Sequence, residues 1–492
     1  MKRLKKIVSI VLTAVMVLAM CIPVMAEGAA TFTITGPLNG HTYEVYQIFI
    51  GDLVNKDGVK TLSNIKWGAN STGTEGEKVL DSDIDALLGD HPAKQPEQYV
   101  NFSSTPVATI DNANSTANVV AGYYLIKDKD ETVPDREVYT EYIVKVAENI
   151  DITPKGNVPS FEKKIKDKND STGDQSGWQD SADYDIGDSV PFKLEGKVAD
   201  NYDKYKTYYF AFHDIEEKGL TFEPGSVEVY IDGTKIDASN YTVVTNPTDG
   251  CSFEVKFADL KKTPANANSI VRVEYTSKLN EEANLGQEGN VNKAKLQFSN
   301  KPSDSQGGEN SPTGETPWDN VIVFTYKVVV NKYANSVAEG NRLTGAEFTL
   351  TKKIKDGEDK VIAVVKSEDG TTFTFKGLDD GEYVLTETKT PDTYNTIPPM
   401  TFKVNADHTI TWDGENRNNV LTSLTGERVS GEITFETSQD KSTLSTNVIN
   451  KSGSTLPETG GIGTTVFYVV GVILMLGAGV LLVTKKRMSS NR

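Results

Sequence analysis

Lysine and asparagine recur at opposite ends of two stretches that have the pattern of β domains. In the first stretch, the predicted strand 161–165 carries lysine among apolar neighbours, and a late strand begins at Asn292. In the second stretch, the predicted first strand ends at Lys332 and the last strand ends at Asn450. If the first and last strands of a domain pair, the lysine amine and the asparagine amide become neighbours and an amide bond can form between them.

This reaction requires that both groups are buried beside a carboxyl group. Burial lowers the pKa of a lysine, which leaves a neutral and nucleophilic amine, and it raises the pKa of a carboxyl group, which stays protonated. The acid polarises the asparagine carbonyl, the amine attacks, and ammonia leaves. By analogy with a disulfide that closes a loop of about a hundred residues, the bond would contribute about 4–5 kcal/mol.

The segments that would position these residues have the pattern of β-strands throughout. Short runs of β-branched and aromatic residues are separated by turn pairs such as Asp232-Gly233 and Asp369-Gly370. Helix is sparse, and the best candidate is Asp81–Leu88. A chain of 492 residues predicts about three domains at ~150 residues each. We therefore expect an all-β fold with three tandem immunoglobulin-like β-sandwich domains.

Two stretches rich in small residues and proline interrupt the strand pattern. The first, 151–160, contains Pro154, Gly156 and Pro159 and is typical of a domain junction. The second, 299–316, is either a junction or a long loop inside the second domain, because a strand pattern resumes soon after it. The predicted domains are therefore 29–155, 156–326 and 327–452.

The N-terminus has the three parts of a secretory signal peptide. A basic segment, 2–6, precedes an apolar run at 7–22. Val24 and Ala26 then supply the small residues that signal peptidase requires, which predicts cleavage after Ala26. Residues 1–26 are therefore expected to be absent from the mature protein.

The C-terminus resembles the cell-wall sorting signal of Gram-positive surface proteins. An LPXTG pentapeptide precedes an apolar run at 464–483, which is long enough to cross a bilayer, and a basic tail follows. The resemblance implies that a sortase cysteine attacks the Thr459–Gly460 bond and passes the threonine to an amine. The pentapeptide comprises Leu456, Pro457, Glu458, Thr459 and Gly460.

Composition excludes several classes of function. The chain has 51 Lys+Arg and 69 Asp+Glu, and both processed ends are basic, so the ectodomain is more acidic than the whole chain and is not expected to bind nucleic acid. Cys251 is the one cysteine that follows the signal peptide, which excludes an internal disulfide and predicts a small buried side chain. The histidines lack metal-ligand spacing, and no catalytic cluster is apparent. We therefore expect no cofactor, no metal and no enzymatic activity beyond the internal crosslinks.

With these motifs the chain resembles, over essentially its whole length, the major shaft-forming pilins that sortases polymerise in Gram-positive bacteria. The stretch 383–394 is similar to the E-box of Cna protein B-type domains, so the third sandwich is expected to be of that type. The resemblance implies that Glu387 assists a bond between Lys332 and Asn450.

The second domain carries a further likeness to this family. The stretch 289–300 is similar to the ending of the second domain, which implies a bond between Lys163 and Asn292 with Asp214 as the assisting acid. Lys164 and Asn300 are the alternatives, because strand alternation leaves open which face is buried. The first domain shows no comparable group of residues, and we expect no such bond there.

The pilin family joins its subunits through a lysine near the end of the first domain. Here the candidate is Lys155 in Thr153-Pro154-Lys155, where proline favours an extended and exposed chain. Lys145 is the alternative, but its setting is that of an ordinary strand residue facing solvent.

The combined interpretation is a major pilin of a cell-wall-anchored extracellular fimbrium. Thr459 of one subunit would be joined to Lys155 of the next. The implied partners are a pilus-specific sortase, a housekeeping sortase, further copies of the chain, accessory pilins and peptidoglycan, while a host surface ligand is left open. The alternatives are a monomeric wall-anchored adhesin and a minor pilin.

Overall fold

The structure, a computed structural model, describes residues 31–36, 40–56, 58–88, 98–134, 136–153, 157–304 and 306–453. Strands dominate it, and they form several sheets, which confirms the predicted all-β fold class. The signal peptide with Ala26, the segment with Lys155, and the sorting signal lie outside the described residues. Within the described ranges no helix is long and apolar enough to span a membrane.

The first pair of sheets is built from residues 31–151. Its strands are Thr31–Thr35 (β1), Tyr43–Lys56 (β2), Val59–Trp67 (β3), Ala108–Ile110 (β4), Thr116–Val120 (β5), Gly122–Asp128 (β6), Glu141–Val146 (β7) and Ile150–Asp151 (β8). One sheet has the order β5-β1-β8, and the other has the order β3-β2-β6-β7 with β4 beside β2. The predicted helix Asp81–Leu88 (α1) is present, with acidic residues in its first turn, where they favour the helix dipole.

The second pair of sheets is built from residues 160–324. Its strands are Ser160–Ile165 (β9), Ser181–Asp183 (β10), Ser189–Lys197 (β11), Phe210–Glu216 (β12), Leu220–Phe222 (β13), Glu228–Ile231 (β14), Thr234–Lys235 (β15), Thr242–Thr245 (β16), Phe253–Phe257 (β17), Ile270–Leu279 (β18), Asn290–Ser299 (β19), Thr313–Glu315 (β20) and Asp319–Phe324 (β21). One sheet has the order β10-β21-β19-β12-β17-β16 with β20 beside β19. The facing sheet has the order β15-β14-β18-β11-β9 with β13 beside β18.

The third pair of sheets is built from residues 326–450. Its strands are Tyr326–Ala334 (β22), Glu347–Lys352 (β23), Lys360–Ile362 (β24), Val364–Lys366 (β25), Thr372–Leu378 (β26), Gly381–Lys389 (β27), Met400–His408 (β28), Leu421–Ser430 (β29), Glu436–Thr437 (β30) and Thr443–Asn450 (β31). The two sheets have the orders β25-β26-β22-β31-β30 and β24-β23-β27-β28-β29.

Short 3₁₀ helices connect some of the strands. They are Tyr202–Lys204, Pro224–Ser226, Ala238–Asn240, Leu260–Lys262, Gly286–Glu288, Gly308–Asn310, Glu339–Asn341 and Arg417–Asn419. The turn Asp232-Gly233 joins β14 to β15, and both of its residues have positive φ, at 49° and 79°. A two-residue hairpin of this hand matches the twist of the strands that it joins, which is why an Asp-Gly pair occurs there.

Side-chain alternation decides which residues enter each core. Along β19, buried and half-buried positions alternate, so Asn292 and Ala294 face the core while Lys293 faces outward. Along β9 the same alternation buries Lys163 completely and leaves Lys164 half-buried. The alternation therefore places Lys163, and not Lys164, in the core, a choice that the sequence left open.

Two stretches show where the second pair of sheets ends. The run 321–330 is two strands, β21 and β22, which belong to different pairs of sheets and meet at the buried Thr325. The segment 299–316 is a loop of the second pair of sheets, because β20 within it pairs with β19. The proposed domain boundaries themselves stay predictions.

Candidate isopeptide-forming sites

The amine of Lys163 lies in the core between the two sheets of the second pair. Its Nζ donates hydrogen bonds to Asp214 Oδ2 at 2.5 Å and to Tyr275 Oη at 2.6 Å. It also lies 5.3 Å from the ring centroids of Phe192 and Tyr275. The amine therefore has a carboxyl group and a phenol as polar neighbours in an otherwise apolar setting.

Asn292 enters the same cluster from the opposite sheet. Its Nδ2 lies 3.0 Å from Tyr275 Oη and 3.4 Å from Glu216 Oε1. Tyr275 Oη also donates to Asp214 Oδ2 at 2.7 Å. The Oδ1 atoms of Asp214 and Asn292 are both buried and have no hydrogen-bond partner in the described chain. Such unpaired buried oxygens are costly in a core, and a protonated acid that donates to the amide carbonyl would relieve the cost.

Burial sets the protonation of this cluster. It lowers the pKa of the Lys163 amine, although the nearby Asp214 acts in the other direction. It raises the pKa of the Asp214 carboxyl group against the effect of Lys163, and together with Asp214 it raises the pKa of Glu216 to about 7. The pair is therefore shifted towards a neutral amine and a protonated acid, which is the state that amide formation requires.

The geometry of the second domain differs from the expected pairing of first and last strands. β9 pairs with β11, with Lys163 opposite Leu194, and these strands lie in the sheet that faces β19. Asp214 and Asn292 lie on the neighbouring strands β12 and β19 of the other sheet. A bond from Lys163 to Asn292 would therefore cross the core and join the two sheets, because the long lysine side chain spans the gap between them.

The two alternative residues of this domain are engaged elsewhere. Lys164 Nζ contacts Asp180 Oδ1 at 2.6 Å on the outer side of β9. Asn300 donates from Nδ2 to the backbone oxygen of Glu137 at 3.2 Å, at the contact with the first pair of sheets. In the described part of the chain, the carboxyl group of Asp214 contacts Lys163, whereas Lys164 and Asn300 have these other partners.

A second cluster lies in the third pair of sheets, around Lys332 on β22. Its Nζ is fully buried, 3.7 Å from Glu387 Oε1 and 3.3 Å from the carbonyl oxygen of Val448. Burial lowers the pKa of Lys332 to about 8, and Glu387 opposes the shift. The amine of Lys332 is therefore shifted towards its neutral, nucleophilic form.

Asn450 completes the cluster from the neighbouring strand. β22 and β31 pair in parallel, with Lys332 opposite Val448. Asn450 Nδ2 lies 2.9 Å from Glu387 Oε2 and 2.8 Å from the carbonyl oxygen of Asn395. Asn450 Oδ1 and Glu387 Oε1 are buried without a hydrogen-bond partner in the described ranges. Here the predicted pairing of first and last strands does occur.

Both clusters hold the groups that the amide-forming reaction needs. The lysine nitrogen attacks the asparagine carbonyl carbon, and the acid donates a proton towards the carbonyl oxygen. The acid then helps to move the surplus amine proton to the departing nitrogen, which leaves as ammonia. One C–N bond forms and one breaks, so the reaction consumes neither water nor cofactor.

Sequence reasoning missed two members of the first cluster. Tyr275 bridges the amine, the acid and the amide, but it is one tyrosine within the alternating strand β18, and no motif marks it. Glu216 follows Asp214 by two residues, so it lies on the same face of β12 and supplies a second carboxyl group. The i, i+2 spacing was the available signal for Glu216.

The first pair of sheets has a different polar centre. None of its described lysines is buried. His41 is buried between Asp128 Oδ1, at 2.8 Å from Nδ1, and Glu137 Oε2, at 2.6 Å from Nε2. The hydrogen bond to Asp128, opposed by burial, raises the pKa of His41 to about 9. The alternative polymerisation residue Lys145 is exposed on β7.

A buried lysine joins the second and third pairs of sheets. Lys352 Nζ contacts Asp379 of its own pair, and it contacts Asp185 at 3.2 Å and Asp170 at 3.5 Å in the preceding pair. Burial acts to lower the pKa of Lys352, but the carboxylates of Asp379 and Asp185 raise it overall. This lysine stays charged, so it forms ion pairs that connect the two pairs of sheets and does not act as a nucleophile.

Two segments of the chain match known protein families. Residues 327–418 match SpaA, a prealbumin-like fold domain, and residues 449–490 match the LPXTG cell wall anchor motif. The trypsin-resistant surface T6 protein of Streptococcus pyogenes is 25% identical over 387 residues, which cover 68% of this chain and 70% of that protein.

The fold also matches that of a solved structure. The T6 backbone pilin of Streptococcus pyogenes, which has a modular three-domain structure, matches with a TM-score of 0.51 and 19% identity over 88% of this chain and 100% of that chain. The full-length major pilin SpaD of Corynebacterium diphtheriae matches with a TM-score of 0.49 and 18% identity over 88% of this chain and 99% of that chain.

Proposed function

We propose that this chain, a cell-wall-anchored surface protein with the fold of Gram-positive backbone pilins, is the subunit of a covalently polymerised fimbrial shaft. The observation that carries the proposal is the pair of buried Lys–acid–Asn clusters in two successive sandwiches. A crosslink inside each of two domains in series suits a fibre that transmits tension along its length. The chain acts here as a substrate, and its own chemistry is limited to the internal bonds.

The internal bonds join Lys163 to Asn292 and Lys332 to Asn450. Asp214 assists the first reaction and Glu387 assists the second. Both reactions proceed without another protein once folding has brought the three groups together. The contacts between amine and acid, and the burial of all three groups, support this assignment.

Polymerisation uses the two segments that flank the folded ectodomain. The apolar run 464–483 holds the precursor in the membrane with its basic tail in the cytoplasm. A pilus-specific sortase forms an acyl-enzyme at Thr459 and releases Gly460, and the amine of Lys155 from another subunit then attacks the acyl group. Accessory pilins complete the fibre, and a housekeeping sortase attaches its base to peptidoglycan.

The topology gives the two crosslinks different mechanical roles. In the third domain, Lys332 lies on the first strand and Asn450 ends the last, so a bond between them carries tension past almost the whole domain. In the second domain, the chain continues for about thirty residues beyond Asn292 before the last strand of that domain, β21, ends at Phe324. This remainder is the part of the second domain that the bond leaves open to extension.

The proposal is tested by co-producing the full-length chain with a pilus-type sortase in a Gram-positive host. A ladder of detergent-resistant, wall-released polymers is expected for the wild type. Lys155→Arg should collapse the ladder to the monomer, because arginine keeps the charge but is not an acyl acceptor. Lys145→Arg is the matched control on the neighbouring exposed lysine, and it should leave the ladder intact.

The contrary outcomes separate the alternatives. A wild-type chain that is attached to the wall as a monomer, although the sortase polymerises a known substrate in the same cells, would identify a monomeric wall-anchored adhesin. A ladder that persists in Lys155→Arg and disappears in Lys145→Arg would move the acceptor to Lys145.

A further inference from the structure

A pocket of about 370 Å³ opens on the outer face of the seven-stranded sheet of the second domain. Its lining includes His213, Asp249, Cys251, Glu254 and Gln297. His213 precedes Asp214 on β12, and successive side chains of a strand point to opposite faces. The pocket is therefore separated by the sheet from the core cluster around Lys163, and the proposed function makes no use of it.

Three different donor atoms converge in this pocket. Asp249 Oδ2 lies 2.9 Å from His213 Nδ1 and 3.2 Å from Cys251 Sγ, and the sulfur lies 3.9 Å from the same nitrogen. Around tetrahedral zinc, with bonds of about 2.0–2.3 Å, neighbouring donor atoms are about 3.3–3.6 Å apart. The triangle that the protein presents is thus already close to the size that one ion requires.

The backbone explains how the two loop ligands face the same strand. Asp249 and Cys251 flank Gly250 in the turn that leads into β17, and Gly250 has a φ of +88°, which L side chains rarely adopt. β17 pairs with β12, with His213 opposite Glu254, so the turn lies beside the histidine. The sequence predicted no metal because the histidines lack metal-ligand spacing. The fold brings Cys251 beside His213, which lies 38 positions earlier in the chain, and sequence spacing does not reveal this contact.

The histidine is oriented for ligation by an outer contact. His213 Nε2 lies 3.1 Å from Gln297 Oε1, and the amide nitrogen of Gln297 lies 3.1 Å from Thr313 Oγ1. Nε2 therefore faces Gln297 while Nδ1 faces Asp249 and Cys251. Metal-bound histidines are commonly held by such a second contact at the other ring nitrogen.

The lysines that line the pocket do not fill this role. Lys256 contacts Glu309 at 2.8 Å and Glu254 at 3.3 Å, and Lys295 contacts Glu315. Glu254 Oε1 also lies 3.4 Å from His213 Nδ1 and adds negative charge beside the donor triangle. The centre of the triangle therefore keeps a negative environment.

We propose that His213, Asp249 and Cys251 form a binding site for one divalent transition-metal ion of the zinc class. Thiolate, imidazole and carboxylate together are ligands that zinc accepts, and the pocket leaves a fourth position for water. Binding releases the thiol proton and any proton on His213 Nδ1, which leaves thiolate, neutral imidazole and carboxylate as the ligands. The ion fastens the turn before β17 to β12, the strand that carries Asp214.

A thiol hydrolase built from the same residues is inconsistent with the geometry. In a Cys–His–acid site the acid holds one ring nitrogen while the thiol faces the other. Here Asp249 and Cys251 both approach Nδ1, and Nε2 faces Gln297. The thiol and the acid therefore lie on the same side of the ring, where one ion can contact all three side chains.

The test is a titration of the purified ectodomain, 27–459, with Co²⁺ followed by competition with Zn²⁺. Because Cys251 is its one cysteine, a thiolate-to-cobalt charge-transfer band reports on this site alone. We expect saturation at one equivalent, loss of the band on addition of Zn²⁺, and an increase in thermal stability with excess Zn²⁺. Gln297→Leu should weaken Zn²⁺ binding by about 10–100-fold.

Two substitutions give matched controls. Cys251→Ser should abolish both the band and the stabilisation by Zn²⁺, and its internal crosslinks, measured by intact mass, should show that it still folds. His408→Gln alters another histidine that lies near carboxylates, Asp167 and Asp183, and it should leave the titration unchanged. A wild-type protein without the band, or stabilisation by Zn²⁺ that survives in Cys251→Ser, would overturn the proposal.

Discussion

Lys163 and Asp214 face each other from opposite sheets of one sandwich, with the amine nitrogen 2.5 Å from a carboxylate oxygen and both side chains fully buried. An ion pair in such a place carries a large desolvation cost. Conversion to an amide removes both charges, because the lysine nitrogen becomes part of a neutral amide and the carboxylate takes up the proton that the amine loses. The same surroundings that penalise the ion pair therefore favour the crosslink.

The choice of lysine in the second domain is tested by comparing Lys163→Arg with Lys164→Arg. The first substitution should remove one crosslink, because arginine does not form the amide. The second should leave both crosslinks in place, because Lys164 Nζ is directed to Asp180. Intact mass counts the crosslinks, and tryptic mapping then locates them. Loss of the second-domain bond in Lys164→Arg alone would reverse the assignment.

Tyr275 is predicted to speed formation of the second-domain bond. Its hydroxyl contacts Lys163, Asp214 and Asn292, and loss of one such hydrogen bond, at roughly 1.5 kcal/mol, slows a reaction about tenfold. Tyr275→Phe should therefore give a slower loss of ammonia in a pulse–chase experiment. The third-domain bond in the same molecules is the internal control. If the second-domain bond formed as fast in Tyr275→Phe as in the wild type, relative to this control, the role of Tyr275 would be contradicted.

The Lys352 cluster is predicted to hold the second and third domains together. Lys352→Met leaves Asp379 buried without its cation partner, while Asp185 keeps its contact with Lys360 at 3.0 Å, and this change should cost about 3–5 kcal/mol in the free energy of unfolding. Urea denaturation at neutral pH measures this loss. The neighbouring Lys353, which pairs with Asp359 at the surface, is the control, and Lys353→Met should stay close to the wild type. Equal effects of the two substitutions would contradict the prediction that the Lys352 cluster holds the two domains together.

The His41 centre predicts how the stability of the first domain depends on pH. The pKa of His41 is raised from 6.5 to about 9 in the folded protein, so its stabilisation is fully present below pH 6.5 and is lost as the pH rises through about 9. Thermal unfolding should therefore show a decline in stability over this window. His41→Gln should flatten the decline, and an unchanged slope in the variant would assign the dependence to other groups.

The fold class and the likeness to pilins were predicted from the sequence and are confirmed. They could be predicted because they depend on local signals. Strand alternation, Asp-Gly turns and the sorting motif are all visible within short windows. Lys332 and Asn450 also followed from strand order, because the first and last strands of that domain pair. The assignment of the crosslinks themselves stays a prediction.

The remaining features depend on contacts between distant segments, which the sequence pattern does not encode. Lys163 was expected to meet Asn292 along paired strands, whereas it reaches across the core from the facing sheet. In the sequence, Lys352 resembles any other strand lysine. Its partners Asp170 and Asp185 come from the second domain and lie far from it along the chain. Cys251 was expected to be a small buried side chain, and it is buried, but its neighbours His213 and Asp249 come from tertiary packing.

The intact mass of the purified ectodomain, 27–459, tests the central claim most directly. Each crosslink expels one ammonia, so the wild type should be about 34 Da lighter than its sequence mass. Asp214→Ala and Glu387→Ala should each be about 17 Da lighter than their own sequence masses, since one bond remains in each. A wild-type mass equal to the uncrosslinked sequence would contradict the account, because neither buried cluster would then have reacted.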